Sequence, residues 1–148
     1  MDSPTHALAR DTYAAPTDAQ LADAIALVDR FATVWARPDL AGLESLMHPD
    51  TRNLIPPMTE PADRAGVLAH FDQVLRQLPD LRVEVVRWAP TGDSVLLEWR
   101  AGASVAGRAL SWTGVDRFRL RGERMVEAQV YWDTRRVAAE AAAAAGAA

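Results

Sequence analysis

The sequence predicts an α+β domain with its helices first and an antiparallel sheet after them. Two observations carry this. From residue 17 to residue 79, apolar residues recur every three or four positions, the helical period. From residue 81 they alternate every second position, with short Gly-containing strings at the breaks, the mark of strands and hairpins. At 148 residues, 49% of them apolar, the chain fits one domain with one core.

Residues 1–16 hold no sustained period and two prolines, and are expected to form a flexible N-terminal arm. Thr17 followed by Gln20 has capping-box spacing. Leu21, Ile25, Val28, Phe31 and Trp35 then mark the buried face of a first helix, which Pro38 ends. Asp39 can cap a second helix with Leu40, Leu43 and Met47 inward and Pro49 as its stop. "TRNLIPP" reads as a short extended piece. In a third helix, Pro61 suits the first turn, Val67, Leu68, Phe71, Val74, Leu75 and Leu78 form the stripe, and Pro79 ends it.

"LRVEVVRW", "SVLLEWRA", "RALSWTGVDRFRL" and "MVEAQVYWD" are four strands, joined by "PTGD", the Gly- and Ala-rich "GASVAG", and "RGER". The single domain therefore spans 17–137. The Ala-rich tail, 138–148, has helix propensity but little to anchor it and is expected to fray.

Composition excludes several function classes. Net charge is -4, so there is no basic footprint for nucleic acid. All 16 basic residues are Arg and there is no Cys, hence no disulfide framework or thiolate chemistry. No apolar run reaches the roughly 18 residues of a membrane span. "MDSPTHALARDTYAAPT" lacks the basic start and apolar core of a secretory signal, so a cytoplasmic location is expected. The three histidines show no metal-ligand spacing, and no metal site is expected.

"FATVWARPDLAGLESLMHPD", "NLIPP" and "GVDRFRLRGERMVEAQVYWD", in this order of elements, resemble the nuclear transport factor 2-like superfamily. The resemblance spans roughly residues 18 to 136. It implies a cone-shaped fold, with three N-terminal helices packed on a curved, mainly antiparallel sheet that encloses a pocket. The superfamily includes SnoaL-like polyketide cyclases, ketosteroid isomerases, limonene epoxide hydrolases and non-catalytic proteins. The polar groups of the ketosteroid isomerases would fall on Phe31, Ile55 and Gly114, which are apolar here. The Arg-x-Asp pair of the epoxide hydrolases would fall on Trp99 and Ala101, leaving Asp133, with Asn53 near the water-holding position. A SnoaL-like cyclase pattern, with one acid/base aspartate in an apolar pocket and no cofactor, fits Asp133.

The resemblance also implies which strand faces line the pocket: Leu97, Trp99 and Ala101; Trp112, Gly114 and Asp116; Ala128, Val130 and Trp132. Phe31 and Trp35 join from the first helix and Ile55 from the extended piece. Such an aromatic pocket suits a hydrophobic, cyclic ligand. Asp133 is either its acid/base or a solvated strand-end charge. Strict alternation from Trp132 turns it outward unless the strand bulges there. Asp116 alternates onto the pocket face, as a second acid/base or as the partner of Arg87, Arg100 or Arg119. Asn53 could orient a water or bond its own backbone. His48 and His70 read as structural. Glu98 and Arg100 fall on the convex face, where this superfamily often pairs with a second subunit, so a homodimer is expected. The reading is a SnoaL-like protein acting by isomerisation, cyclisation or hydration, or else a non-catalytic binding module of the same fold.

Overall fold

The computed structural model describes residues 14–147, so most of the expected N-terminal arm lies outside the described residues. The chain forms helices α1 (Asp18–Ala36) and α2 (Leu40–Leu46), strand β1 (Met47–Leu54) and helix α3 (Arg64–Gln77). Strands β2 (Arg82–Thr91), β3 (Ser94–Val105), β4 (Arg108–Arg121) and β5 (Arg124–Trp132) follow, and helix α4 (Thr134–Gly146) closes the fold. The five strands make one sheet in the order β1-β5-β4-β3-β2, antiparallel except where β1 runs parallel to β5.

α1 begins at the expected capping box: Gln20 N donates to Thr17 Oγ1 at 3.2 Å, and Thr17 N donates to Gln20 Oε1 at 2.9 Å. Its buried face is Ala24, Leu27, Val28, Phe31 and Trp35. Leu21 and Ile25, expected inward, are exposed at the N-terminal end of the helix. In α2, capped by Asp39, Leu43 and Leu46 are buried while Leu40 is exposed.

Pro49 does not stop a helix. It lies within β1, in a stretch between Met47 and Arg52 where the pairing with β5 shifts register. A residue without an N–H is tolerated at such an interruption of an edge strand. Pro61 likewise precedes α3 instead of opening it. Asp63 is the cap, its carboxylate accepting from Gly66 N at 2.8 Å. "GASVAG" is not a loose connection: β3 continues to Val105, and Ala106 and Gly107 form the whole turn, both at positive φ (49° and 76°). Two such residues match the right-handed twist of a hairpin.

The largest departure is the tail. Residues Thr134–Gly146 form α4, capped by Asp133, with Ala144 buried and Val137 packed against the core. Val137, Ala141 and Ala144 share one face at helical spacing. A stripe of small side chains is enough to seat a helix that approaches closely.

Register settles which side of the sheet carries the core. On β3, Val95, Leu97, Trp99, Ala101 and Ala103 are all buried, and they face the helices. Trp88 packs against this core. Glu98 lies on the opposite face, ion-paired with Arg87 at 3.0 Å. No helix among the described residues is long and apolar enough to cross a membrane.

Candidate functional site

Between the helices and the sheet lies a cavity of about 440 Å³. Its sheet side is organised around Gly114. On β4, Trp112 and Asp116 stand two residues to either side of it, on the same face. Across the ladder, Gly114 is paired with Trp99 of β3 and with Trp132 of β5. A glycine is thus ringed by three indoles and one carboxyl, all lining the cavity. Trp112 and Trp132 lie with ring centroids 6.2 Å apart.

The helical side brings Phe31 and Trp35 from α1, 5.9 Å apart, and Phe71 from α3, which meets the Trp35 ring edge-on at 5.3 Å. Ile55 contributes from the segment after β1 and Val130 from β5. All seven residues expected to contact a ligand, Phe31, Trp35, Ile55, Trp99, Trp112, Val130 and Trp132, therefore line one cavity.

Asp116 is buried, and its one protein partner among the described residues is an indole: Trp99 Nε1 donates to Oδ1 at 2.8 Å. None of the arginines proposed for it pairs with it; Arg87 binds Glu98 and Arg119 binds Glu127. Loss of hydration pushes its pKa up to about 7, although the Trp99 hydrogen bond favours the charged form and opposes the rise. Such a carboxyl can give or take a proton near neutral pH.

Asp133 is elsewhere. The β4–β5 ladder runs without interruption to Gly114–Trp132, and its one register shift lies at the other end, between Arg119 and Leu120. The bulge that would turn Asp133 inward is absent. Instead its carboxylate accepts from Arg136 N at 3.0 Å as the N-cap of α4, and it is exposed outside the cavity. Asn53 is buried but does not line the cavity. Its Oδ1 accepts from Thr51 at 2.7 Å, its Nδ2 meets Met47 Sδ at 3.5 Å, and its backbone pairs with Ala62. These contacts hold the amide away from the cavity, so Asp116 is the one member of the expected set Asp133, Asp116 and Asn53 that faces the cavity.

Other lining residues gave no clear signal in the sequence. His70, Gln73 and Gln77 of α3 lie along one side of that helix and reach the cavity, as do Val137 and Ala141 of α4. Polar residues at helical spacing are the ordinary mark of a solvated face, and an alanine run announces no contact at all. His70 is half-buried, and desolvation lowers its pKa, favouring neutral imidazole. His48 lies in β1, accepting from Asp50 N through Nδ1 at 3.1 Å. Among the described residues, no arginine lines the cavity. Among the described residues, no three His, Asp or Glu side chains are grouped so as to hold a metal ion.

The architecture and the cavity define a cone-shaped α+β domain of the nuclear transport factor 2-like class. The sequence model of the SnoaL-like domain matches residues 28–128, more than half of the chain, and the chain belongs to that family. Several solved structures share the fold. AclR from Streptomyces galilaeus, a proposed hydroxylase, superposes with a TM-score of 0.71 at 22% identity, covering 82% of each chain. IdmH from Streptomyces antibioticus, a proposed polyketide cyclase, gives 0.69 at 24% identity, over 77% of this chain and 94% of its own. A protein with a ketosteroid isomerase-like fold from Catenulispora acidiphila, solved with trimethylamine, gives 0.69 at 18% identity, over 78% and 92%. At these identities the likeness is one of fold. No curated protein matches the sequence.

Proposed function

We propose that the chain binds an uncharged, hydrophobic, ring-containing molecule in the cavity and that Asp116 transfers a proton to or from it. One observation carries this reading: among the described residues, a single buried carboxyl faces an aromatic cavity that no arginine lines. Around neutral pH, burial favours the neutral form of His70 and holds Asp116 at the edge of ionisation. A carboxylate or phosphate ligand would find no counter-charge and would meet a desolvation penalty. A ring carrying a carbonyl or hydroxyl would stack on indole faces and hydrogen-bond to the acid. Isomerisation, cyclisation and hydration each move a proton at carbon or oxygen, which is the step Asp116 can perform without a cofactor. AclR is a proposed hydroxylase and IdmH a proposed polyketide cyclase, and their likeness in fold supports the reading.

The second reading is a binding module without turnover. It is favoured by the apolar residues Phe31 and Ile55, where a second polar group could otherwise have stood. Self-association through the outer face of the sheet is a further part of the proposal. Val115 and Tyr131 are cross-strand partners there, and both are exposed.

The test uses a pair of probes, anthraquinone and its 2-carboxylate, with binding followed by tryptophan fluorescence between about pH 5 and pH 9. The neutral probe is expected to bind about tenfold more tightly or better. Its affinity should change around pH 7 in the natural protein and lose that dependence in Asp116→Asn. Equal binding of the carboxylate, or tighter binding of an aminoanthraquinone carrying a protonated alkylamine, contradicts an uncharged ligand. Affinity that ignores pH in the natural protein removes Asp116 from the site's chemistry.

A further inference from the structure

Trp99 and Asp116 lie on adjacent strands but are not direct partners. Leu97 stands opposite Asp116, and Trp99 stands opposite Gly114. The indole must therefore run diagonally across β4 to place Nε1 at 2.8 Å from Oδ1. Its route crosses Gly114. A Cβ built at that glycine would lie 2.6 Å from Trp99 Cη2 and 2.7 Å from the Tyr131 carbonyl oxygen. Gly114 does not have a positive φ, so it serves here through its lack of a side chain. Any other residue at 114 would displace either the ring or the neighbouring strand.

We propose that Trp99 is the positioning residue of the Asp116 carboxyl, and that Gly114 provides the gap through which the indole reaches it. This rests on the reading of Asp116 as the group that moves the proton. An indole N–H can only donate, so Oδ1 is an acceptor in both protonation states. When Asp116 is protonated, this donor favours the tautomer with the proton on Oδ2, because a carbonyl oxygen is a better acceptor than a hydroxyl oxygen. Oδ2 has no hydrogen-bond partner among the described residues, and on a residue that lines the cavity it is the oxygen left to meet a ligand. The pair thus fixes which oxygen meets the ligand and which way the transferable proton points. It also trims the rise that burial imposes on Asp116, because a donor to Oδ1 favours the carboxylate.

The test needs no substrate. Trp99→Phe keeps a ring and removes the N–H. In protein carrying ¹³C-labelled aspartate carboxyls, with Asp116→Asn to assign the signal, the Asp116 titration midpoint is expected to move upward in Trp99→Phe. Gly114→Ala is expected to shift it in the same direction by displacing the indole. If Gly114→Ala does not fold, Trp99→Phe carries the test alone, with folding confirmed by circular dichroism. An unchanged midpoint in folded Trp99→Phe overturns the proposal, since a ring that merely fills space is largely retained by Phe. The functional reading fails differently: Asp116→Asn with the natural protein's pH-dependent probe binding would remove Asp116 from function and leave the Trp99 effect intact.

Discussion

Asp116 holds its position against a cost. Among the described residues its buried carboxyl has one neutral donor and no cation, so the folded protein binds its proton far more tightly than the unfolded chain does. The sign follows from linkage. With a folded pKa raised to about 7 from 3.8, the stabilisation from protonation is fully present below about pH 4. It is lost as pH rises through 7. Asp116→Asn, which keeps an acceptor for Trp99 but cannot ionise, should therefore be more stable than the natural protein at pH 8. The advantage, on the order of 4 kcal/mol at the upper bound, should fade toward pH 4; urea unfolding at the two pH values measures it. A constant difference across that range would mean Asp116 is not a strained buried acid. Asp133 gives the converse case. Asp133→Ala should cost about 1 kcal/mol through loss of an N-cap and leave anthraquinone binding unchanged, measured by thermal melts and fluorescence on the same sample. At this scale the sequence was a partial guide. Alternation alone placed Asp116 inward and Asp133 outward, and the structure agrees with both. Family likeness pulled toward Asp133, which has a structural task instead. Asn53 was misplaced because nothing local shows that Thr51 and Met47 will occupy its amide.

Among the elements, α4 most changes the picture of the site. Val137 and Ala141 form part of the cavity wall, so the helix is a lid of small side chains. Truncation after Asp133 should leave the sheet intact, widen the cavity and weaken neutral-probe binding. Affinity equal to that of the full chain would show that α4 is no working part of the wall. The sequence did not announce this helix as packed, because an alanine stripe offers little apolar area per residue and its partner surface lies far back in the chain. Pro49 was misread for a related reason. Proline ends helices and also interrupts edge strands, and only pairing with β5 decides between them. By contrast, the capping box at Thr17 and the strand alternation were legible because both depend on residues close in sequence.

Across the whole molecule, the order of helices and strands was readable from two periods, 3.6 and 2, which fix a face for each element. The cavity was readable too, since four of the five tryptophans alternate or repeat onto that inward face. What could not be read was depth: which polar group is sealed, and which is claimed by a neighbour. Register decides that, and register emerges only when β3, β4 and β5 assemble around Gly114. The proposed chemistry therefore depends on the protonation of one group in the assembled protein. The most direct measurement is the ¹³C titration of the Asp116 carboxyl in the natural protein, with and without anthraquinone. A midpoint near 7 that moves when the neutral probe binds is expected. A midpoint in the ordinary carboxylate range, unmoved by the probe, would contradict it.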